Sequence, residues 1–277
     1  MHKEFPLSDV KIVRSGSVSK VSRPEYVSEN LQVSQDEFFM LAAGVGAFYA
    51  REGKEVEYCP EAGADEGWVR LFLNGQVLVA LLHQRSIINF HASSFIYDGM
   101  GVMVLGETGA GKTSVTASFV MDGAGFLTDD LSPVIFRESQ PKIMALERDI
   151  KLRINTIDQL NIDPGRLRDA EQGTGKKYFK IRDPKVSDHS LHTIFRIETG
   201  LVSEPEFHEP SAAEKFSILR SEICSWEILA GMPETEKAYL HQLLEIIKMV
   251  KIVRVIRPAE IMISDLQRAI ERFLVTV

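Results

Sequence analysis

Alternating apolar and polar residues dominate the first third of the chain, and this pattern predicts β-strands. Short stretches such as Lys11–Arg14 and Val18–Val21 predict edge strands. From Phe38 to Leu73, further strand-like runs are interrupted by Arg51–Lys54, where glycine and charged residues favour a hairpin turn. We therefore expect residues 1–73 to form a small β-rich N-terminal lobe.

Helical spacing begins after this region and predicts a second domain over residues 74–277. Between Asn74 and Arg85 the apolar residues fall on one helical face, and Asn74 is the predicted N-cap. Ile87–His91 then predicts a strand that ends at His91. The hydrophobic pattern therefore favours a change from the β-rich lobe to a larger α/β domain.

The centre of the chain predicts a hairpin, a glycine-rich loop, a helix and further strands. The hairpin comprises Phe95–Tyr97 and Val102–Leu105, and the helix spans Ser114–Met121. A strand at Phe126–Thr128 is expected to end at the pair Asp129 and Asp130, and another follows at Val134–Phe136. Because few residues separate the glycine-rich loop from the acidic pair, we expect both carboxylates to face the loop.

The remainder of the chain predicts a largely helical C-terminal part. A short helix at Thr156–Leu160, a surface loop at Gly173–Lys180 and a strand at His192–Glu198 come first. Helices are then expected at Ala213–Leu229 and Glu234–Met249. A strand at Ile252–Ile256 precedes a last helix, for which Ser264 and Gln267 predict a capping box.

The glycine-rich segment GETGAGKT matches the phosphate-binding loop pattern in full, with a strand before it and a helix after it. Its backbone N–H groups are expected to surround phosphate, Lys112 to reach the β and γ phosphates, and Thr113 to ligate Mg²⁺. We therefore predict a site for ATP or another nucleoside triphosphate with Mg²⁺. The predicted binding residues are Gly106, Glu107, Thr108, Gly109, Ala110, Gly111, Lys112, Thr113 and Ser114.

Asp129 and Asp130 turn this nucleotide site into a candidate site for phosphoryl transfer. One carboxylate could accept a proton from an acceptor alcohol, and the other could hold Mg²⁺ directly or through water. His91, at the end of its predicted strand, is a candidate for tuning a carboxylate or contacting phosphate. The predicted catalytic residues are Asp129, His91 and Lys112, and the predicted metal ligands are Thr113 and Asp130.

Taken together, His91, the Gly106–Thr113 loop, the helix and the Asp129–Asp130 pair resemble the catalytic domain of HPr kinase/phosphorylase. The resemblance implies a P-loop nucleotide-binding core of the HPr kinase and phosphoenolpyruvate carboxykinase-like type. It also implies transfer of phosphate to a serine hydroxyl, with Asp129 as base, His91 as its neighbour and Asp130 on the Mg²⁺ side. The family's enzymes are oligomeric, which implies a homo-oligomer.

The resemblance extends from about Arg85 to Phe136 and departs from the family pattern beyond it. Asp149–Arg153 stands where the family has a glycine-rich signature with a glutamate and an arginine. Asp149 is therefore either a weaker candidate metal ligand or a structural residue, and the departure argues against the family's reverse reaction, phosphorolysis of phosphoserine. Glu4–Leu7 and Leu81–Ser93 are similar to segments of shorter HPr kinase-like proteins. Some of those resemble tailoring kinases for lasso peptides and similar precursor peptides.

Composition narrows the class of protein further. The formal net charge of −7 argues against nucleic acid as the main partner. The two cysteines, Cys59 and Cys224, are far apart in sequence and do not have the spacing of a disulfide framework or a metal site. We therefore expect both to be reduced thiols. The start of the chain lacks the apolar core of a signal peptide, and the apolar run at Phe38–Ala50 is too short to span a bilayer. We expect a cytoplasmic protein with no membrane partner.

The sequence therefore predicts an ATP- and Mg²⁺-dependent kinase for a Ser or Thr hydroxyl of a protein or peptide. Two alternatives stay open. The first is a kinase for a small hydroxylated molecule, because the same groups serve any alcohol. The second is a switch protein that binds or slowly hydrolyses ATP, although such a protein does not need Asp129 and His91. The loop Gly173–Lys177 could close over triphosphate or hold an acidic acceptor, or it could be an ordinary surface loop.

Overall fold

The structure is a computed structural model that describes residues 5–146, 149–171, 173–181 and 187–276. It is a mixed α/β protein, as predicted. Contacts divide the chain into two units, one containing the residues up to Asn89 with Ile223–Gln242, the other Phe90–Glu222 with Leu243 to the C-terminus. The predicted boundary between residues 73 and 74 falls inside a helical segment. Glu4, at the start of the Glu4–Leu7 segment, lies outside the described residues.

The first unit contains a six-stranded sheet in the order β1-β6-β5-β4-β3-β2. The Arg51–Lys54 turn joins β5 to β6 as predicted, and β1 is an edge strand. No strand forms at Val18–Val21, because Ser19 instead donates hydrogen bonds from its backbone and hydroxyl to Glu57. The strands are β1 (Lys11–Arg14), β2 (Tyr26–Val27), β3 (Leu31–Val33), β4 (Glu37–Ala42), β5 (Gly46–Arg51) and β6 (Glu55–Pro60).

A helical segment in the first unit starts earlier than predicted. It comprises α1 (Glu66–Phe72), a π-helical stretch at Leu73–Val77 and α2 (Leu78–Gln84). Asp65 is the N-cap, because its carboxylate accepts hydrogen bonds from the backbone N–H groups of the first turn. The prediction of Asn74 as the N-cap was wrong, since apolar spacing marks the buried face of a helix but not its first residue.

The second unit is built on parallel strands flanked by antiparallel hairpins. β9 and β18 both pair in parallel with β16, so their carboxyl ends lie at one edge of the sheet. β8 and β10 extend the sheet beyond β9. The strands of this large sheet are β8 (Ser93–Tyr97), β9 (Met100–Gly106), β10 (Gly125–Thr128), β11 (Ser132–Arg137), β12 (Gln140–Ile143), β16 (His189–Thr199), β17 (Glu206–His208) and β18 (Lys251–Arg257). The short strand β7 (Ile88–Phe90) pairs at the end of the same sheet.

A separate three-stranded sheet in the second unit has the order β13-β15-β14. Its strands are β13 (Ile150–Arg153), β14 (Leu167–Asp169) and β15 (Lys176–Phe179). Lys176–Phe179 is therefore a strand, not part of a loop, because it pairs on both sides and buries Phe179. Only the segment before Lys176 keeps the predicted loop character.

The helix α3 (Lys112–Met121) lies between two apolar clusters. Val115 and Phe119 pack with the large sheet and α7, whereas Ala117 packs with the three-stranded sheet. The remaining helices are α4 (Ile154–Gln159), α5 (Ala212–Ser221), α6 (Pro233–Met249) and α7 (Ile263–Val275). Burial on two sides fixes the direction in which the first turn of α3 points. No helix of the described chain combines the length and apolarity needed to cross a membrane.

Two helix predictions in the C-terminal part were wrong in detail. The single helix expected at Ala213–Leu229 ends at Ser221, and a 3₁₀ segment follows at Trp226–Gly231, because Ser225 adopts a left-handed backbone. The last helix starts at Ile263 without the Ser264 capping box. Gln267 is buried and donates to Asp122 at 2.6 Å, so a contact with the end of α3 replaces the expected cap.

Candidate functional site

The glycine loop, defined as Gly106–Gly111, leads from the end of β9 into α3. A side chain at Gly106 would meet the carbonyl oxygen of Ile197 at 2.6 Å, so only glycine fits against β16. Gly111 has φ of 109° and is the N-cap of α3, a conformation that glycine adopts without steric cost. The loop therefore leads into a helix N-terminus, a position at which anions are stabilised.

Lys112 is buried at the first position of α3, and its Nζ donates to the carbonyl oxygen of Gly106 at 2.5 Å. The lysine side chain thus folds back along the inside of the glycine loop. Glu107, Thr108 and Gly109 are exposed, whereas Ala110 is buried under the loop. The charge of Lys112 accordingly adds to the positive end of α3.

Thr113 connects the start of α3 to the first carboxylate of the acidic pair. Its Oγ1 donates to Oδ1 of Asp129 at 3.0 Å, and the backbone N–H of Lys151 donates to Oδ2 at 3.3 Å. Burial raises the pKa of the Asp129 carboxyl, and the neighbouring charge of Asp130 adds to this. Hydrogen bonds from Ser93, Thr113 and Lys151 oppose the rise without cancelling it.

Asp130 points in a different direction from its neighbour, because its φ of 70° places it in the left-handed region. Its carboxylate is largely exposed and lies 3.3 Å from Nε2 of His91. The backbone N–H of His91 donates to the carbonyl oxygen of Glu222 at 2.7 Å, which holds this residue at the strand end. The two adjacent carboxylates are therefore one buried group beside the helix and one exposed group beside a histidine.

A buried network of hydroxyl groups lies behind the acidic pair. Ser132 Oγ contacts Ser94 Oγ at 2.8 Å and Thr128 Oγ1 at 2.5 Å, and it reaches the carbonyl oxygen of Ala92 at 3.2 Å. Ser93 Oγ lies 3.4 Å from the carbonyl oxygen of Thr128. These hydrogen bonds fix the strand ends that carry His91 and Asp129, so both residues start from rigid backbone.

Arg257 was not anticipated from the sequence, although it follows the predicted last strand directly. Its guanidinium donates to the carbonyl oxygens of Ala110 at 2.9 Å and Gly109 at 3.3 Å. Two further hydrogen bonds reach Pro258 and Ala259, and burial lowers the pKa of Arg257. Because β9, β16 and β18 are parallel, their carboxyl ends bring Arg257 to the glycine loop. Strand direction was the missing signal.

Asp149, the weaker candidate metal ligand, forms an ion pair with Arg168 at 2.8 Å. Ser114, the last predicted binding residue, has its Oγ 2.9 Å from Thr156 Oγ1 on α4. The structure therefore joins Thr113 to Asp129 and His91 to Asp130, and it directs Asp149 and Ser114 to other partners. The predicted roles of these residues in binding and catalysis stay predictions.

Comparison with known proteins shows only distant structural likeness. No protein-family model matches the chain, and no curated protein matches it. Among solved structures, the chain is similar to the Hpr(Ser) kinase/phosphatase from Coxiella burnetii, with a TM-score of 0.36 and 12% sequence identity. The match covers 68% of this chain and 97% of that one. A likeness at this level carries no statement about the chemistry of the site.

Proposed function

We propose that this protein is a kinase that transfers the γ-phosphate of ATP, with Mg²⁺, to a Ser or Thr hydroxyl of a protein or peptide. The observation that carries the proposal is the 3.0 Å hydrogen bond from Thr113 to Asp129. It joins a loop suited to phosphate to a buried carboxylate suited to proton transfer. Phosphoryl transfer needs both groups next to each other.

On the donor side, the glycine loop, the N-terminus of α3 and Lys112 would bind the β and γ phosphates. Thr113 and Asp130 are the residues that would hold Mg²⁺, which neutralises charge on the transferring phosphate when it is bound. Hydroxyl and carboxylate oxygens suit this cation. The described residues contain no cluster of three metal-ligating side chains, and a nucleotide-bound Mg²⁺ needs none, because phosphates and water supply its other ligands.

On the acceptor side, Asp129 would take the proton of the attacking hydroxyl. The hydroxyl oxygen bonds to the γ phosphorus, the bond from that phosphorus to the bridging oxygen breaks, and ADP leaves. The raised pKa of Asp129 makes its carboxylate a better base than an ordinary aspartate. A general base of this kind contributes about 10²- to 10⁴-fold to rate.

One observation supports an exchange of the two aspartate roles. Thr113 donates a hydrogen bond to Asp129, which places the Asp129 carboxylate next to a cation held by that hydroxyl. Asp130 lies beside His91 and is the more exposed carboxylate, which suits contact with an acceptor. The activity proposed is the same in both assignments, and only the proton acceptor differs.

Three variants test the activity and separate the roles. Lys112→Ala is expected to weaken ATP binding or transfer, with the exposed Lys248→Ala as the control for loss of a lysine. Asp129→Asn keeps the size of the side chain and is expected to lower kcat by about 10²- to 10⁴-fold with ATP binding retained. Asp130→Asn is expected to raise the Mg²⁺ concentration needed for half-maximal rate.

The opposite pattern for the two aspartates would support the exchanged roles. Unchanged turnover in Lys112→Ala would remove the glycine loop from the mechanism. Efficient transfer to small alcohols but not to peptides would favour the small-molecule kinase. Release of orthophosphate without any phosphorylated acceptor would favour the ATP-dependent switch.

A further inference from the structure

One face of the three-stranded sheet concentrates positive charge around an aromatic ring. Pairing places Lys151 and Arg168 opposite Tyr178, and it places Arg153 opposite Lys176. Side chains alternate between the faces of a strand, so these five residues share one face. The other face packs into the core through Ile150, Leu152 and Phe179. We call the first face the basic face, defined by Lys151, Arg153, Arg168, Lys176 and Tyr178.

Two of its cations are neutralised within the fold. Lys151 pairs with Glu171 at 3.1 Å, and Arg168 pairs with Asp149 at 2.8 Å. Both cations also lie over the Tyr178 ring, at 5.1 and 4.0 Å from its centroid. This half of the basic face is accounted for by structural ion pairs and cation–π contacts.

Arg153 and Lys176 make up the other half and differ from the first pair of cations. They are directly opposite each other on antiparallel strands, where like charges are unfavourable. Among the described residues, neither has a carboxylate partner, and Arg153 is exposed. This excess of positive charge occurs in a chain whose net charge is −7. An anionic ligand would relieve the repulsion.

The position of Arg153 links the pair to the candidate site. Two residues before it, the N–H of Lys151 donates to Asp129. Three residues after it, Thr156 contacts Ser114 near the start of α3. Arg153 therefore lies, along the chain, between the two points at which this segment touches the site. The glycine loop already has cations of its own, Lys112 and Arg257.

We propose that Arg153 and Lys176 bind acidic residues that flank the acceptor hydroxyl, so that the substrate is an acidic peptide segment. This inference rests on the proposed kinase function only in treating the bound peptide as the phosphoryl acceptor. Binding of the peptide to the basic face does not itself require phosphoryl transfer. An acidic segment fits better than the triphosphate, because Lys112 and Arg257 already supply positive charge at the glycine loop. The acidic side chains would complete the charge balance of this face.

Binding is tested first, without catalysis. Fluorescently labelled 12-residue peptides with one central serine are made with Asp and Glu, with Gln, or with Lys in the flanking positions. Anisotropy titrations of the full chain should show preference for the acidic peptide and loss of that preference at high salt. The double variant Arg153→Gln, Lys176→Gln should bind the acidic peptide with an affinity roughly 2- to 30-fold lower, which is the range for the loss of two exposed ion pairs.

Lys177→Gln is the matched control, because it removes the same charge from the adjacent residue. Lys177 lies on the other face, paired with Asp169 at 2.8 Å. The control should bind the acidic peptide as the wild type does. A charge-reversed variant, Arg153→Glu with Lys176→Glu, should prefer the lysine-flanked peptide, and this gain of binding cannot come from misfolding.

Transfer from labelled ATP to the same peptides separates this inference from the kinase proposal. Phosphorylation that is independent of flanking charge, with equal binding of the three peptides, would overturn the acidic acceptor and keep the kinase. Preferential binding of the acidic peptide without phosphorylation would keep the basic face and overturn the kinase. Equal losses in Lys177→Gln and in the double glutamine variant would also overturn the assignment of the pair.

Discussion

Acidification is expected to destabilise the first unit through one buried histidine. His83 is fully buried on α2, with Nδ1 2.8 Å from the Tyr239 hydroxyl and Nε2 3.0 Å from the carbonyl oxygen of Cys224. Burial lowers the pKa of His83 from 6.5 to about 4, although the hydrogen bond to Cys224 opposes the change. The unfolded chain therefore binds a proton at a pH at which the native unit does not.

The sign and size of the effect follow from this difference. Between pH 6.5 and about 4 the unfolded state holds more protons, so the free energy of unfolding falls as the pH falls. The gap between the two pKa values corresponds to roughly 3 kcal/mol, of which about 2 kcal/mol is lost by pH 5. Above pH 6.5, where His83 is neutral in both states, it no longer lowers the free energy of unfolding.

Tryptophan fluorescence during urea unfolding is the assay, because both tryptophans, Trp68 and Trp226, lie in the same unit as His83. Wild type and His83→Gln are compared between pH 7.5 and 5, so that pH effects common to both cancel. The wild type should lose about 2 kcal/mol more than the variant. Exposed His241 lies in the same unit, and His241→Gln is the control. Equal pH dependence of wild type and His83→Gln would refute the reasoning.

Further predictions concern the second unit. Because the pKa of Asp129 is raised, the native state holds its proton at pH values just above 3.8, where the unfolded state has lost it. The free energy of unfolding of the wild type should therefore fall relative to that of Asp129→Asn as the pH rises above 3.8, by about 1.4 kcal/mol for each pKa unit. Denaturant titrations at several pH values measure this difference. Phe119→Ala should cost about 3–5 kcal/mol of unfolding free energy, because its buried ring stacks 4.3 Å from that of Phe95. Arg257→Gln should weaken ATP binding by loosening the glycine loop, with unchanged affinity as the contrary result.

Local patterns were sufficient for the elements that immediately surround the site. The run before Gly106 predicted β9, and Asp129 and Asp130 follow β10 as expected. The helix after the glycine loop starts at Lys112, two residues earlier than predicted. These features succeed because strand alternation, glycine and chain order act over a few neighbouring residues.

Contacts between distant residues were not predictable in the same way. Arg257 reaches Ala110 across 147 positions because parallel strands share an edge. Asp129 receives the N–H of Lys151 from β13, a strand that the sequence pattern did not predict. The expected cap at Ser264 failed for a related reason, since contacts of Gln267 with Ser118 and Asp122 of the α3 region outweighed a local motif. Such choices depend on packing that periodicity does not encode.

The central claim is phosphoryl transfer to a hydroxyl on a protein or peptide. The direct measurement is incubation of the full chain with γ-labelled ATP, Mg²⁺ and a library of serine- and threonine-containing peptides, followed by mass spectrometry of the products. The account predicts phosphoserine or phosphothreonine with wild type and its loss in both Lys112→Ala and Asp129→Asn. Label that appears only as free orthophosphate, with every peptide unmodified, would contradict it.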